Sequence, residues 1–157
     1  MELKEAKTIA DEVVEYLTPD SKKIEVVGSI RRKRPFVNDI DILLIPRDPW
    51  RLKQGIRQFA GQNVLTNGAK LARFLHRSVQ IDLYYATEKT WGTLLLIRTG
   101  SKESNIRLTS AAKRRGWKLK AGGEGLFDNA GHRIAGDSER SIFEALNLPY
   151  LEPEERG

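Results

Sequence analysis

The chain has no cysteine among its 157 residues. That excludes disulfides, thiolate metal sites and cysteine nucleophiles. Long apolar runs are also missing. The longest, such as Ile42 to Ile45, fall far short of a bilayer crossing, and the N-terminus reads Met1-Glu2-Leu3-Lys4-Glu5 with no apolar signal core. A soluble intracellular protein of the cytoplasm or nucleoid is expected. There is no internal repeat and no low-complexity segment. Only two histidines occur, His76 and His132, and each stands alone, as a satisfied polar group does. What is present is enough apolar material for a core, 39% of residues against 31% charged, in a length suited to one domain or two small lobes.

Charge is basic and uneven. Lys plus Arg is 27 against 21 Asp plus Glu, a net charge of +6. Residues 98–120 carry eight basic side chains and one acid, while residues 121–157 carry three basic and eight acidic ones. Arg31 to Arg34 form a solid basic run, and residues 47–77 hold seven basic groups against Asp48 alone. Three such zones on a small protein suit a polyanion such as a phosphate backbone, although each zone alone also suits a solvated face.

Periodicity divides the chain into two lobes, 1–90 and 91–157. Apolar residues at helical spacing predict a helix over 2–17, stopped by Pro19. Strands are expected at 24–27, 40–45, 63–66, 71–75 and 79–84, with a turn at Asn67-Gly68 and a helix over 49–59. This first lobe reads as a helix-flanked mixed sheet. The second reads as helices over 89–97 and 102–115, the latter closing at Gly116, then a small hairpin sheet and a last helix capped by Ser138. Trp50, Trp91 and Trp117 are expected to pack in the interior.

The sharpest chemical signal is Gly28-Ser29-Ile30-Arg31-Arg32 followed by Asn38-Asp39-Ile40-Asp41. Glycine lets a backbone approach a phosphate closely, and the Ser29 hydroxyl and Arg32 guanidinium add donors. Asp39 and Asp41, two apart at a strand start, point to one face. A third acid, Asp82, lies in the strand Val79 to Tyr84; if that strand neighbours 40–45, it faces the same site. Carboxylates gathered this way call for a hard divalent cation, Mg²⁺ or Mn²⁺. Three can hold two ions about 3.5–4 Å apart, the arrangement used in phosphoryl transfer.

This combination resembles the nucleotidyltransferase superfamily and, within it, the X-family DNA polymerases, the group that includes DNA polymerase beta. Leu96 to Ser101, then Asn105 to Leu108, is similar to that family's nucleotide-binding segment. Asp137 to Phe143 and Leu148 to Arg156 are similar to its closing helix and tail. The resemblance spans almost the whole chain. It implies an α+β fold, a mixed-sheet palm over 1–90 and a small thumb over 91–157, without the lyase and helix-hairpin-helix domains of larger members.

The implied activity is DNA-directed extension of a primer 3′-hydroxyl with deoxynucleotides in short-gap repair, by a monomer with two Mg²⁺ (or Mn²⁺). A template-independent enzyme, or one acting on RNA or a small molecule, is the alternative. The resemblance makes Asp39, Asp41 and Asp82 the metal-binding carboxylates, with Asp82 accepting the hydroxyl proton. Gly28, Ser29, Arg32, Ile97, Thr99, Gly100, Ser101 and Asn105 become nucleotide contacts. Ser29 and Arg32 take the outer phosphates, and Asn105 the minor-groove edge of the incoming base. Arg107, Lys113, Arg114, Arg115 and Lys118 are expected to meet DNA. The family's usual aromatic pair before Thr-Gly-Ser is here Ile97-Arg98, its basic residue two before the third Asp is Gln80, and its template-contacting basic residue is Thr109.

Overall fold

A computed structural model covers all 157 residues and separates them into two compact units, 1–86 and 87–157. The division falls after Ala86 rather than after Thr90. Thr87 belongs to the second unit because its carbonyl accepts from Trp91 N and its N–H donates to Thr90 Oγ1, forming the turn that starts the next helix.

In the first unit, α1 (Leu3–Leu17) turns Ala6, Ile9, Ala10, Val13 and Leu17 inward. Pro19 follows in a short 3₁₀ turn, where a residue without an N–H costs nothing. The strands β1 (Ser21–Val26), β2 (Ile40–Pro46), β3 (Val64–Asn67), β4 (Leu71–His76) and β5 (Val79–Tyr85) form one sheet in the order β1-β2-β5-β4-β3. Only β2 and β5 run parallel; every other pair is antiparallel. The run Ile42 to Ile45 is buried throughout because β2 sits inside the sheet with both faces covered. A basic stretch with no apolar period conceals α2 (Gly28–Arg31), one helical turn between β1 and β2.

The helix α3 (Pro49–Ala60) follows β2. Asp48 caps it by accepting from Trp50 N and Arg51 N, and Pro49 occupies the permitted first position. Leu52, Ile56 and Ala60 of α3 join α1 over Ile40, Ile42, Leu44, Phe74, Ile81 and Leu83 in one core. These strand residues alternate with Asp41 and Asp82, so the carboxylates lie on the sheet face away from α1 and α3.

The second unit holds α4 (Trp91–Thr99), α5 (Lys102–Arg114), a three-stranded antiparallel sheet β6 (Lys118–Lys120), β7 (Gly125–Phe127) and β8 (Arg133–Ala135), and α6 (Glu139–Ala145). Gly116, at φ +73°, takes the left-handed position just past α5. Ser138 and Ser141 cap α6 reciprocally. The core joins Leu96, Leu108, Ala112, Leu126, Ile142 and Phe143. Arg156 is fully buried beside it and pairs with buried Glu139 at 2.6 Å. Trp91 is buried and Trp117 packs against this core, but Trp50 is 64% exposed, contrary to the expected interior position. It sits in the first turn of α3, on the side away from Leu52 and Ile56, so no element covers it.

Candidate active site

Gly28 opens α2 just after β1 with φ +61°, and a Cβ there would collide with the Asp41 carboxylate. Glycine is therefore required by both conformation and space, and it lets Asp41 lie against the backbone. The single turn α2 then closes in a Schellman arrangement: Lys33, at φ +57°, donates to Ile30 O, and Arg34 N donates to Ser29 O. This reversal brings Arg34 back beside Ser29. The resulting cavity of about 460 Å³ is lined by Ser29, Arg32, Arg34, Pro35, Phe36, Asn38, Asp39 and Asp41. Two acids and two guanidiniums in one lining suit a cation-bridged phosphate chain. Arg34 was missing from the expected contacts; nothing in a run of four basic residues shows which ones a Schellman turn will face inward.

Asp82 lies where the sequence placed it, on a strand beside 40–45. Asp41 and Asp82 are partners in register on parallel β2 and β5. Like charges so placed repel one another unless a cation is supplied. One is supplied within the chain. Arg73 on β4, itself the register partner of Asp82, donates from Nε to Asp82 Oδ1 at 2.7 Å and from Nη2 to Oδ2 at 3.4 Å. Gln80 Nε2 donates to the same oxygens at 3.2 and 3.4 Å. The Asp82 hydrogen bond, then its charge, pushes the Arg73 pKa above the ordinary guanidinium value. Tyr84 donates its hydroxyl to Asp41 Oδ1 at 3.4 Å.

Asp41 and Asp82 share a sheet face and Asp39 lies just before β2, but the three do not form a compact three-ligand cluster, and Asp82 is paired with Arg73. Asp39 and Asp41 offer hard oxygens on the open cavity and fit a divalent ion. Sequence reasoning did not find Arg73 or Tyr84; their roles depend on which strand neighbours which.

The other expected nucleotide contacts lie in the second unit. The Gly100–Ser101 peptide bond is cis, and Gly100 has φ +71°. Ser101 caps α5, its Oγ accepting from Ser104 N at 3.3 Å, while Thr99 is fully buried. Asn105 Nδ2 donates to Ile97 O at 2.9 Å, and its Oδ1 is buried with no partner. The expected DNA contacts do not form one face. Asn105, Thr109 and Lys113 follow one side of α5 at four-residue spacing, whereas Arg107 and Arg114 lie on another, lining a cavity with Leu108, Phe143 and Leu148. Arg115 donates to Leu146 O at 2.9 Å and stacks over Trp117, so packing claims much of its guanidinium. Lys118 is exposed on β6.

Comparison with known proteins follows the same division. The family model for the DNA polymerase beta thumb matches residues 94–157. The DNA polymerase/3′-5′ exonuclease PolX of Bacillus subtilis is 29% identical over 96% of this chain, which spans 27% of that protein. A repair DNA polymerase X of African swine fever virus is 28% identical over 87% of this chain and 82% of its own length. The crystal structure of Leishmania infantum polymerase beta, a ternary gap complex, superimposes over 99% of this chain and 70% of that chain with a TM-score of 0.83 at 20% identity, a likeness of fold. The thumb model falls on the second unit, relatives named as X polymerases are similar to the chain along nearly its full length, and its fold is like that of polymerase beta throughout.

Proposed function

We propose that the chain is a DNA-directed DNA polymerase that adds deoxynucleotides to a primer 3′-hydroxyl in short gaps. The observation that carries this reading is the in-register pair Asp41 and Asp82, with Asp39 beside them, on the sheet face next to the Ser29–Arg32–Arg34 cavity. Phosphoryl transfer needs little covalent chemistry from the protein; it needs positioning and charge. Ser29, Arg32 and Arg34 supply donors for the outer phosphates. Asp39, Asp41 and Asp82 would hold divalent cations, which when bound neutralise the phosphates and lower the barrier to attack.

The O3′–Pα bond forms as the bond from Pα to the bridging oxygen breaks, and pyrophosphate leaves. Asp82 accepts the hydroxyl proton, its carboxylate oriented by Arg73 and Gln80. In the second unit, Asn105 donates to Ile97 O, and the resemblance gives this residue the edge of the incoming base. The names of the viral relatives and of the Leishmania gap complex support repair of gapped DNA as the task.

Primer extension tests the reading, on a gapped duplex, on a primer–template and on a primer alone, with Mg²⁺ or Mn²⁺. The wild-type chain should copy the template across the gap, and Asp82→Ala should lose incorporation while retaining fold and DNA binding. Untemplated addition to the lone primer at equal rate would instead favour a template-independent transferase. No extension on any substrate would overturn both.

A further inference from the structure

The outer face of α3 is aromatic and cationic, and the polymerase site does not use it. Leu52, Ile56 and Ala60 face the core, so at 100° per residue Trp50, Arg51, Gln54, Arg57 and Gln58 face outward. All five are exposed, Trp50 to 64%. Arg47 stands exposed just before the helix, and Lys53 flanks the stripe. None of these four cations has an ion pair or side-chain hydrogen bond, whereas Arg73 and Arg77, in the same basic stretch, are neutralised by Asp82 and Glu12. Two carboxylates lie near. Asp48 is occupied as the helix cap, and Asp20 lies against Gly55.

An exposed indole leaves apolar surface in water, and four unneutralised cations around it repel one another. Both costs disappear if a polyanion with flat apolar faces covers the stripe. Acidic polypeptide supplies charge without such faces. Duplex DNA supplies phosphates but keeps its bases stacked out of reach. Single-stranded nucleic acid supplies both, since aromatic stacking takes any base and arginines beside the ring take the phosphates.

We propose that the α3 outer face is a binding surface for single-stranded nucleic acid, with Trp50 as the stacking platform and Arg47, Arg51 and Arg57 as phosphate contacts. The surface lies on the helical side of the first unit's sheet, opposite the carboxylates. It is argued from its own residues and does not depend on the chain being a polymerase.

Fluorescence titration with oligothymidylate tests it. Trp50 is the exposed tryptophan of the three, so its emission should quench on binding. Trp50→Ser should weaken oligothymidylate binding roughly tenfold, as expected for one stacked base. Trp50→Phe should keep most of the affinity, and blunt duplex binding should be unchanged in both. Arg51→Gln with Arg57→Gln should flatten the slope of log affinity against log salt by about 1.4, for two phosphate contacts on a single strand.

Unmoved Trp50 emission at saturation, or a Trp50→Ser protein that binds oligothymidylate as tightly as wild type, would overturn the proposal. Quenching by polyglutamate equal to that by oligothymidylate would also overturn it, in favour of an acidic protein partner. Repeating the titration in Asp41→Asn protein separates this surface from the active site: quenching should persist there even if nucleotide incorporation fails or was never present.

Discussion

Asp41 and Asp82 face each other across parallel β2 and β5, and Arg73 reaches from β4 to hold only the second of them, at 2.7 Å. Asp41 accepts from the Tyr84 hydroxyl at 3.4 Å. Asp41→Asn should relieve the repulsion between the two carboxylates. Stability in a chelator should stay within about 1 kcal/mol of wild type, or rise slightly, as for other cross-strand charge pairs. Nucleotide incorporation should be lost, and so should the tightest Mn²⁺ site seen by calorimetry. Denaturant unfolding in EDTA, set beside Mn²⁺ titration, checks both halves. A large stability loss in EDTA would mean that Asp41 is structural.

Gly28→Ala tests the backbone under that carboxylate. The residue sits at φ +61°, and the added Cβ meets Asp41. Strain in the left-handed region is about 1–2 kcal/mol, and displacement of Asp41 adds to it. The variant should unfold at lower denaturant and should lose incorporation out of proportion to its stability, measured at a temperature where both proteins are folded.

How much of this could be read from the chain depends on the range of the interactions. The elements of both units follow from apolar period, Pro19, Asp48-Pro49 and Gly116, all local signals. The three acids were legible because strand alternation places Asp39 and Asp41 on one side, and because Asp82 is the single acid in its strand. Arg73, Tyr84 and Arg34 were not legible. Arg73 and Tyr84 matter through which strand lies beside which, a long-range fact. Arg34 matters through a left-handed Lys33 that nothing in Arg31 to Arg34 announces. Trp50 was misread for a related reason: one indole in a first helical turn fits either face until the packing of Leu52 and Ile56 fixes the rotation.

Arg156→Met probes the second unit's charged core. Arg156 is fully buried, bonded to Glu139 at 2.6 Å and to Leu151 O at 3.0 Å. Removing it takes a guanidinium away from a buried carboxylate, which costs up to about 3–5 kcal/mol. The double variant Arg156→Met with Glu139→Gln should recover part of that loss, because the buried carboxylate charge is removed with its partner. Thermal unfolding of the wild type, the two singles and the double gives the coupling.

Glu12 links stability to pH. Its carboxyl is held below its usual 4.5, first by the hydrogen bond to His76 and then by the Arg77 and His76 charges. A depressed folded-state pKa contributes stability that is present above the unfolded value and is lost as pH falls through the folded one. Glu12→Gln should therefore narrow the stability difference between neutral and acid solution, its loss against wild type being full above about 4.5 and fading as pH falls below it. Unfolding midpoints across pH 3 to 7, about the range of carboxylate titration, read it directly.

Asn105 gives a test in which a neutral truncation is set against a charged substitution of the same shape. Its Nδ2 donates to Ile97 O at 2.9 Å, tying α5 to the last turn of α4, and its Oδ1 is buried without a partner. Asn105→Ala removes one hydrogen bond, worth about 1 kcal/mol, and any contact to an incoming base. Asn105→Asp does more harm to the fold. It sets a carboxylate oxygen against the Ile97 carbonyl and leaves a charge at a site where even a neutral oxygen lacks a donor, so the loss should exceed that of the alanine variant. Both should raise KM for a deoxynucleotide, and only the aspartate variant should lower Tm by clearly more than one missing hydrogen bond allows. Equal Tm values for the two would mean that the side chain leaves Ile97 and turns to solvent, and that the amide does not brace the Thr99-Gly100-Ser101 turn.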